Sequence, residues 1–179
     1  MTRLPIIGVM GSGSEPHADL AAPLGAWLAT LDVHLLTGAG RGTMTAVTRA
    51  FAEVEGRSGL AFGICPSSDD DPARPREGYP NPWVEVPIRT HLPLSGPLGT
   101  EDRSRNHINV LSSSVIVALP GSAGTASEVR LAGNYGVPLI GYLRRAEDIP
   151  EFPNTLPWSP VLDDVREFVL NRLQRGEAE

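Results

Sequence analysis

A chain of 179 residues with 41% hydrophobic residues is long enough for one domain with one buried core. Its net charge of −6 argues against a general nucleic-acid binder, which needs clustered positive charge, and against docking on an anionic membrane surface. All 15 basic residues are arginines, so Schiff-base chemistry and a Walker A loop, which both need a lysine amine, are excluded.

Met1 to Gly13 carries a short apolar run broken by glycine, without a basic region and cleavage site, and is not read as a signal peptide. Leu4 to Met10 has the near-continuous apolar character of a buried parallel strand and ends at Gly11-Ser12-Gly13. Pro16 to Leu31 repeats apolar residues at helical spacing, through Leu20, Leu24, Trp27, Leu28 and Leu31. Val33 to Thr37 predicts a second strand, followed by the turn Gly38-Ala39-Gly40-Arg41-Gly42 and a helix over Thr43 to Val54. Leu60 to Ile64 predicts a third strand, with Cys65 read as a small buried core residue. As the sole cysteine, Cys65 excludes an internal disulfide and a cysteine-based zinc site within one chain.

Pro66 to Pro82 is rich in Pro, Asp and Arg without periodicity, and reads as a surface loop. Its run Asp69-Asp70-Asp71 is read as solvated, because consecutive side chains rarely converge on one ion, and no metal site is expected. Trp83 to Ile88 predicts a fourth strand, and Pro93 to Gly99 a second Pro/Gly-rich loop. Arg103 to Leu111 predicts a helix, Ser114 to Leu119 a buried strand, and Thr125 to Tyr135 a helix. Val137 to Leu143 predicts a further strand, and Val161 to Leu173 an amphipathic closing helix.

Strands alternating with helices predict an α/β fold of Rossmann-like, doubly wound type, with a mainly parallel sheet and helices on both faces. No internal repeat or long linker divides it, so residues 1–179 are read as one nucleotide- or phosphate-binding domain. No apolar stretch approaches bilayer-spanning length, and the expected location is the cytoplasm.

In such sheets the ligand crevice lies beyond the carboxyl ends of the strands, where three glycine turns fall here: Gly11 to Ser14, Gly38 to Gly42, and Gly121 to Gly124. The strongest signal is Pro120-Gly121-Ser122-Ala123-Gly124-Thr125, a turn from strand into helix whose first N–H groups suit a phosphate. Thr125-x-x-Glu128 also has the spacing of a capping box that would satisfy those same groups, and spacing alone leaves the two readings level. The other glycine turns favour phosphate. Neither Gly11-Ser12-Gly13 nor Gly38 to Gly42 completes a dinucleotide fingerprint, which leaves nicotinamide and flavin chemistry weakly supported. Of Arg103 and Arg105, which diverge at a helix start, Arg105 is favoured as ligand-facing. His17, His34, His91 and His107 are read as loop or surface residues, and Trp83 and Trp158 as core or subunit-contact residues.

The pattern P-G-x-x-G-T-x-x-E after an apolar strand, with Arg105 shortly before it, resembles the LOG superfamily. That group includes cytokinin-activating phosphoribohydrolases, proteins long mislabelled as lysine decarboxylases, and molybdenum cofactor carriers. Gly38 to Val47 is similar to its second glycine motif, and Gly11-Ser12-Gly13-Ser14 to its first nucleotide-contacting turn. The hydrolases have a glycine where Ser122 stands and a lysine where Asn106 stands, so Ser104 to Val110 looks closer to the cofactor-carrier branch.

The resemblance implies a carrier for a phosphorylated, nucleotide-like or pterin-containing molecule, with a nucleoside monophosphate or molybdenum cofactor as bound ligand and no cofactor needed for folding. Gly121, Ser122, Ala123, Gly124 and Thr125 would cradle phosphate, Arg105 and Asn106 would meet its charge, and Gly11 to Ser14 with Gly38, Gly40 and Gly42 would contact the remainder. In the alternative, a phosphoribohydrolase, Arg105 and Glu128 would be catalytic. A homodimer or homotetramer is expected through the helix Thr125 to Tyr135, where Val129, Leu131 and Ala132 accompany Gly133.

Overall fold

The computed structural model describes residues 3–176. Along the chain run β1 (Ile6–Met10), α1 (Ala18–Leu28), β2 (His34–Thr37), α2 (Thr43–Ala52), β3 (Ala61–Cys65) and β4 (Val86–Arg89). They are followed by α3 (Asn106–Leu111), β5 (Val115–Ala118), α4 (Ala123–Tyr135), β6 (Leu139–Tyr142), β7 (Trp158–Ser159) and α5 (Leu162–Gly176).

All seven strands lie parallel in one sheet, in the order β4-β3-β2-β1-β5-β6-β7. The apolar runs are explained by burial on both faces. Ile7 and Val9 point into a layer with Leu24, Phe51 and Val165 of α1, α2 and α5. Met10, in contrast, enters the opposite layer with Ile116 and with Val110 and Val129 of α3 and α4. The fold is α/β, Rossmann-like and doubly wound, as the alternation predicts.

The chain winds outward from β1 to β4, then returns to place β5 on the other side of β1. Met10 and Ala118 stand in register at the carboxyl ends of these two strands. This reversal opens a crevice between the loops that leave β1 and β5, where parallel sheets commonly hold ligands.

Several boundaries differ from the sequence pattern. α4 begins at Ala123, two residues before the predicted start. The predicted helix from Arg103 begins only at Asn106, with Arg105 as its N-cap. The two-residue β7 carries no readable period. Val129, Leu131 and Ala132 are 2%, 3% and 1% exposed, so they serve this chain's own core and are not offered to a second copy. Among the described residues, no helix is long and apolar enough to cross a membrane.

Candidate functional site

The three glycine turns are bonded to one another. The Ser12 N–H donates to the Pro120 carbonyl at 3.1 Å, and the Thr43 N–H donates to the Ser12 carbonyl at 2.9 Å. Gly42, with φ of 62°, opens α2 in a conformation that favours glycine. The first two loops thereby support the third, at the start of α4.

At that start the N-cap Ser122 makes no side-chain capping bond, and the first turn holds no acidic residue. The capping box that the spacing left open is therefore absent. With α4 beginning at Ala123, Thr125 lies inside the first turn and not at the cap, and Glu128 lies a turn deeper. The helix start keeps N–H groups without side-chain partners and the positive end of the helix dipole, facing a cavity of about 190 Å³.

Arg105 lines this cavity and is 4% exposed. Its Nε and Nη1 are buried without a hydrogen-bond partner. The side chain is fixed by packing: a β-carbon at Gly38 would lie 2.6 Å from Nη1, and the Tyr79 ring centroid lies 5.6 Å from Cζ. Gly38 thus admits the guanidinium instead of touching the cavity itself. A buried cation with unsatisfied donors calls for an acceptor-rich anion, since leaving such groups unpaired is costly.

Glu128 lines the same cavity and is 8% exposed. Asn109 Nδ2 donates to its Oε1 at 2.8 Å. Burial pushes its carboxyl up to about 7, against the opposing pull of Arg105 and of the Asn109 hydrogen bond. Cys65 is buried, and burial pushes its thiol up, in keeping with a core residue and not a nucleophile.

Of the residues singled out from sequence, Gly11, Gly13, Arg105, Asn106, Ser122, Gly124, Thr125 and Glu128 line the cavity together. The others support them. Ser12 Oγ accepts the N–H groups of Ser14 and Glu15, and the Gly40 carbonyl accepts from Thr45 Oγ1 and Asn81 Nδ2. Gly121 leaves room for the Thr125 hydroxyl, Ala123 opens α4, and Ser14 and Gly42 face an outer groove between α1 and α2.

Sequence reasoning missed Met44, Tyr79, Ser95 and Gly96 as lining residues. Tyr79 belongs to the Pro66 to Pro82 loop, which is not simply solvated. Asn81 N–H donates to the Ala39 carbonyl at 2.8 Å, and Arg76 bonds Ser95 Oγ and the Pro93 carbonyl, tying this loop to the next. In the aspartate run, Asp69 pairs with Arg76 and Asp71 with Arg74. Among the described residues no three His, Cys, Asp or Glu side chains converge as a metal site. His107 bonds Tyr135 and the Glu101 carbonyl, away from the cavity. Trp83 lies under the Arg49 guanidinium, and Trp158 is 42% exposed.

Solved structures similar to this one include the molybdenum cofactor binding protein of Rippkaea orientalis, 28% identical, with a TM-score of 0.74 over 97% of this chain and 99% of that one. The molybdenum cofactor carrier protein of Chlamydomonas reinhardtii is 27% identical, with a TM-score of 0.72 over 97% of this chain and 99% of that one. DNA processing protein A of Helicobacter pylori, 16% identical with a TM-score of 0.52 over 76% of this chain and 64% of that one, shares the fold alone. No curated protein matches the sequence. The family model of the SLOG cluster4 family matches residues 4–156, and together with the glycine turns and the motif around Gly121 this places the chain in that family, in the LOG-like superfamily.

Proposed function

We propose that this chain is a binding or carrier protein for a small phosphorylated molecule, nucleotide-like or pterin-containing, with the molybdenum cofactor as the leading candidate. The observation that carries the reading is Arg105, buried with two unsatisfied nitrogens beside the uncapped start of α4. A phosphoryl group in this cavity would give the guanidinium the acceptor it lacks. The likeness to cofactor carriers at 27–28% identity supports the pterin-containing ligand.

The cavity of about 190 Å³ is smaller than sites that enclose a whole drug-sized ligand, which run to roughly 300–1,000 Å³. It suits the phosphoryl end alone. The remainder would extend into an adjoining groove of about 360 Å³ that shares Gly13 and Tyr79 and adds Arg41 and Glu77. On this reading residues 1–179 act as one binding domain.

Titration calorimetry with phosphate, AMP and GMP on wild type and Gly124→Asp tests the site. A β-carbon at Gly124 has no neighbour closer than 3.6 Å, so the variant adds charge without a clash. An aspartate in the first turn favours the helix but repels the ligand, so binding is expected to fall at least about tenfold. Equal binding by both proteins sinks the assignment.

One observation favours the alternative of a nucleoside monophosphate phosphoribohydrolase: Glu128 faces the cavity with a carboxyl near 7, a value suited to general acid–base work. Against it stand Asn106 and Ser122, where the hydrolases carry lysine and glycine. Little or no free base is expected from AMP or its N6-substituted forms. Robust turnover that vanishes in a folded Glu128→Ala variant overturns the carrier reading.

The protein is further proposed to form a homodimer or homotetramer. With the buried residues of α4 excluded, large apolar residues left exposed among the described residues include Leu98 before α3, Leu111 at the end of α3 and Tyr135 at the end of α4, at 51%, 60% and 43% exposure. Light scattering at micromolar concentration is expected to give a multiple of 19.1 kDa, and the mass of one chain refutes the proposal.

A further inference from the structure

We propose that Glu128 takes up a proton as the anion binds, so that the site accepts an oxyanion and one proton together and releases both together. The inference rests on the anion-site reading above and adds the chemistry of its ligand.

Glu128 and Arg105 line one cavity without meeting each other. Among the described residues, no carboxylate lies within 4.0 Å of the Arg105 guanidinium. The cavity they share, which Ser122, Gly124 and Thr125 at the start of α4 also line, is where the anion would sit. An oxyanion there meets donors from Arg105 and from the helix. In the same cavity it meets a carboxylate whose Oε1 is already engaged by Asn109. Among the described residues no donor reaches Oε2.

An ionised Oε2 against a ligand oxygen is an acceptor against an acceptor, with like charges in a place shielded from water. Protonation resolves both conflicts. The proton comes from solvent, the carboxylate becomes a neutral acid, and its O–H donates to the ligand oxygen. No other bond forms or breaks.

Few other groups bear on this carboxyl. Arg105, just before α3, lines the same cavity and pulls the carboxyl down. Tyr79 enters from the loop after β3, and Cys65, at the end of β3, feels the same arginine. His107 on α3 is turned to Tyr135 and Glu101. Among the described residues, no further ionisable group lines the cavity. Burial already holds the carboxyl at about 7, and a second negative charge beside it has to raise it well above 8.5 for the proton to stay on throughout the range tested.

Sulfate is the suitable probe, because it remains a dianion from pH 6 to 8.5 and brings no proton of its own. Calorimetry on the full chain in two buffers of different ionisation enthalpy reads affinity and protons taken up. Wild type is expected to lose affinity about 30-fold between pH 6 and 8.5 and to take up close to one proton per sulfate at pH 8. Glu128→Gln, a neutral mimic, is expected to bind at pH 8.5 as tightly as wild type does at pH 6, without proton uptake.

Sulfate binding by wild type that neither varies with pH nor takes up a proton overturns this inference and leaves the anion site standing. The proton count needs only wild type, so a misfolded variant does not protect the idea. Absence of sulfate binding at either pH, by wild type and variant alike, overturns the inference and the anion site together.

Discussion

Replacing Arg105 with glutamine is expected to weaken phosphate or AMP binding by at least about 30-fold while leaving the protein at least as stable as before. Truncating one side of a buried, hydrogen-bonded charge pair costs about 2–5 kcal/mol, and each 1.4 kcal/mol is tenfold in affinity. In the protein by itself the same side chain is a liability, because Nε and Nη1 are buried without partners and, among the described residues, no carboxylate lies within 4.0 Å of the guanidinium. Removing it relieves that cost, although some packing against Gly38 and Tyr79 is lost. Calorimetry and thermal unfolding on one preparation separate the effects. Binding within threefold of wild type would remove Arg105 from the site, and a large loss of stability would make it a structural residue.

Glu128→Gln is expected to stabilise the protein by about 3 kcal/mol above pH 7 and to change little below pH 4.5. The unfolded carboxyl loses its proton near 4.5 and the folded one near 7. Between those values the folded state binds more protons than the unfolded state, so wild-type stability falls as pH rises through the window and levels off above it. Glutamine cannot ionise, and its amide oxygen can still accept from Asn109 Nδ2. Three kcal/mol corresponds to a midpoint roughly 6–12 °C higher for a chain of this size. Unfolding of both proteins at pH 4.5, 6 and 8 measures this, and parallel curves would show that the folded carboxyl titrates like an exposed one. The capping box would have given the opposite result, a loss on replacing Glu128, and its absence reverses the sign.

Both predictions concern a charge buried ahead of its partner. A folded structure that buries Arg105 and Glu128 in one cavity sacrifices stability, an arrangement common at functional sites, and on the proposed reading a ligand would restore it.

What the sequence determined by itself is the order of the helices and of every strand but β7, and the sheet edge at which the three glycine turns gather. The runs Leu4 to Met10 and Ser114 to Leu119 are apolar on both faces because both faces are covered, and that is a local pattern. Glycines at the strand ends marked the crevice, and Arg105 stood out beside the motif at Gly121.

The tertiary structure alone decided how those pieces act. Thr125 and Glu128 have capping-box spacing, but α4 starts two residues earlier, which turns Glu128 toward Asn109, 19 residues away in sequence. Tyr79 reaches the site from a stretch without periodicity, because a loop's path depends on anchors such as Asn81 and Arg76 and not on its own repeat. Gly38 resembled a ligand-binding glycine and is instead the floor under Arg105. Periodicity reports which face of an element is buried. It carries no record of which buried groups meet across the sheet, and those meetings set the charge of this site.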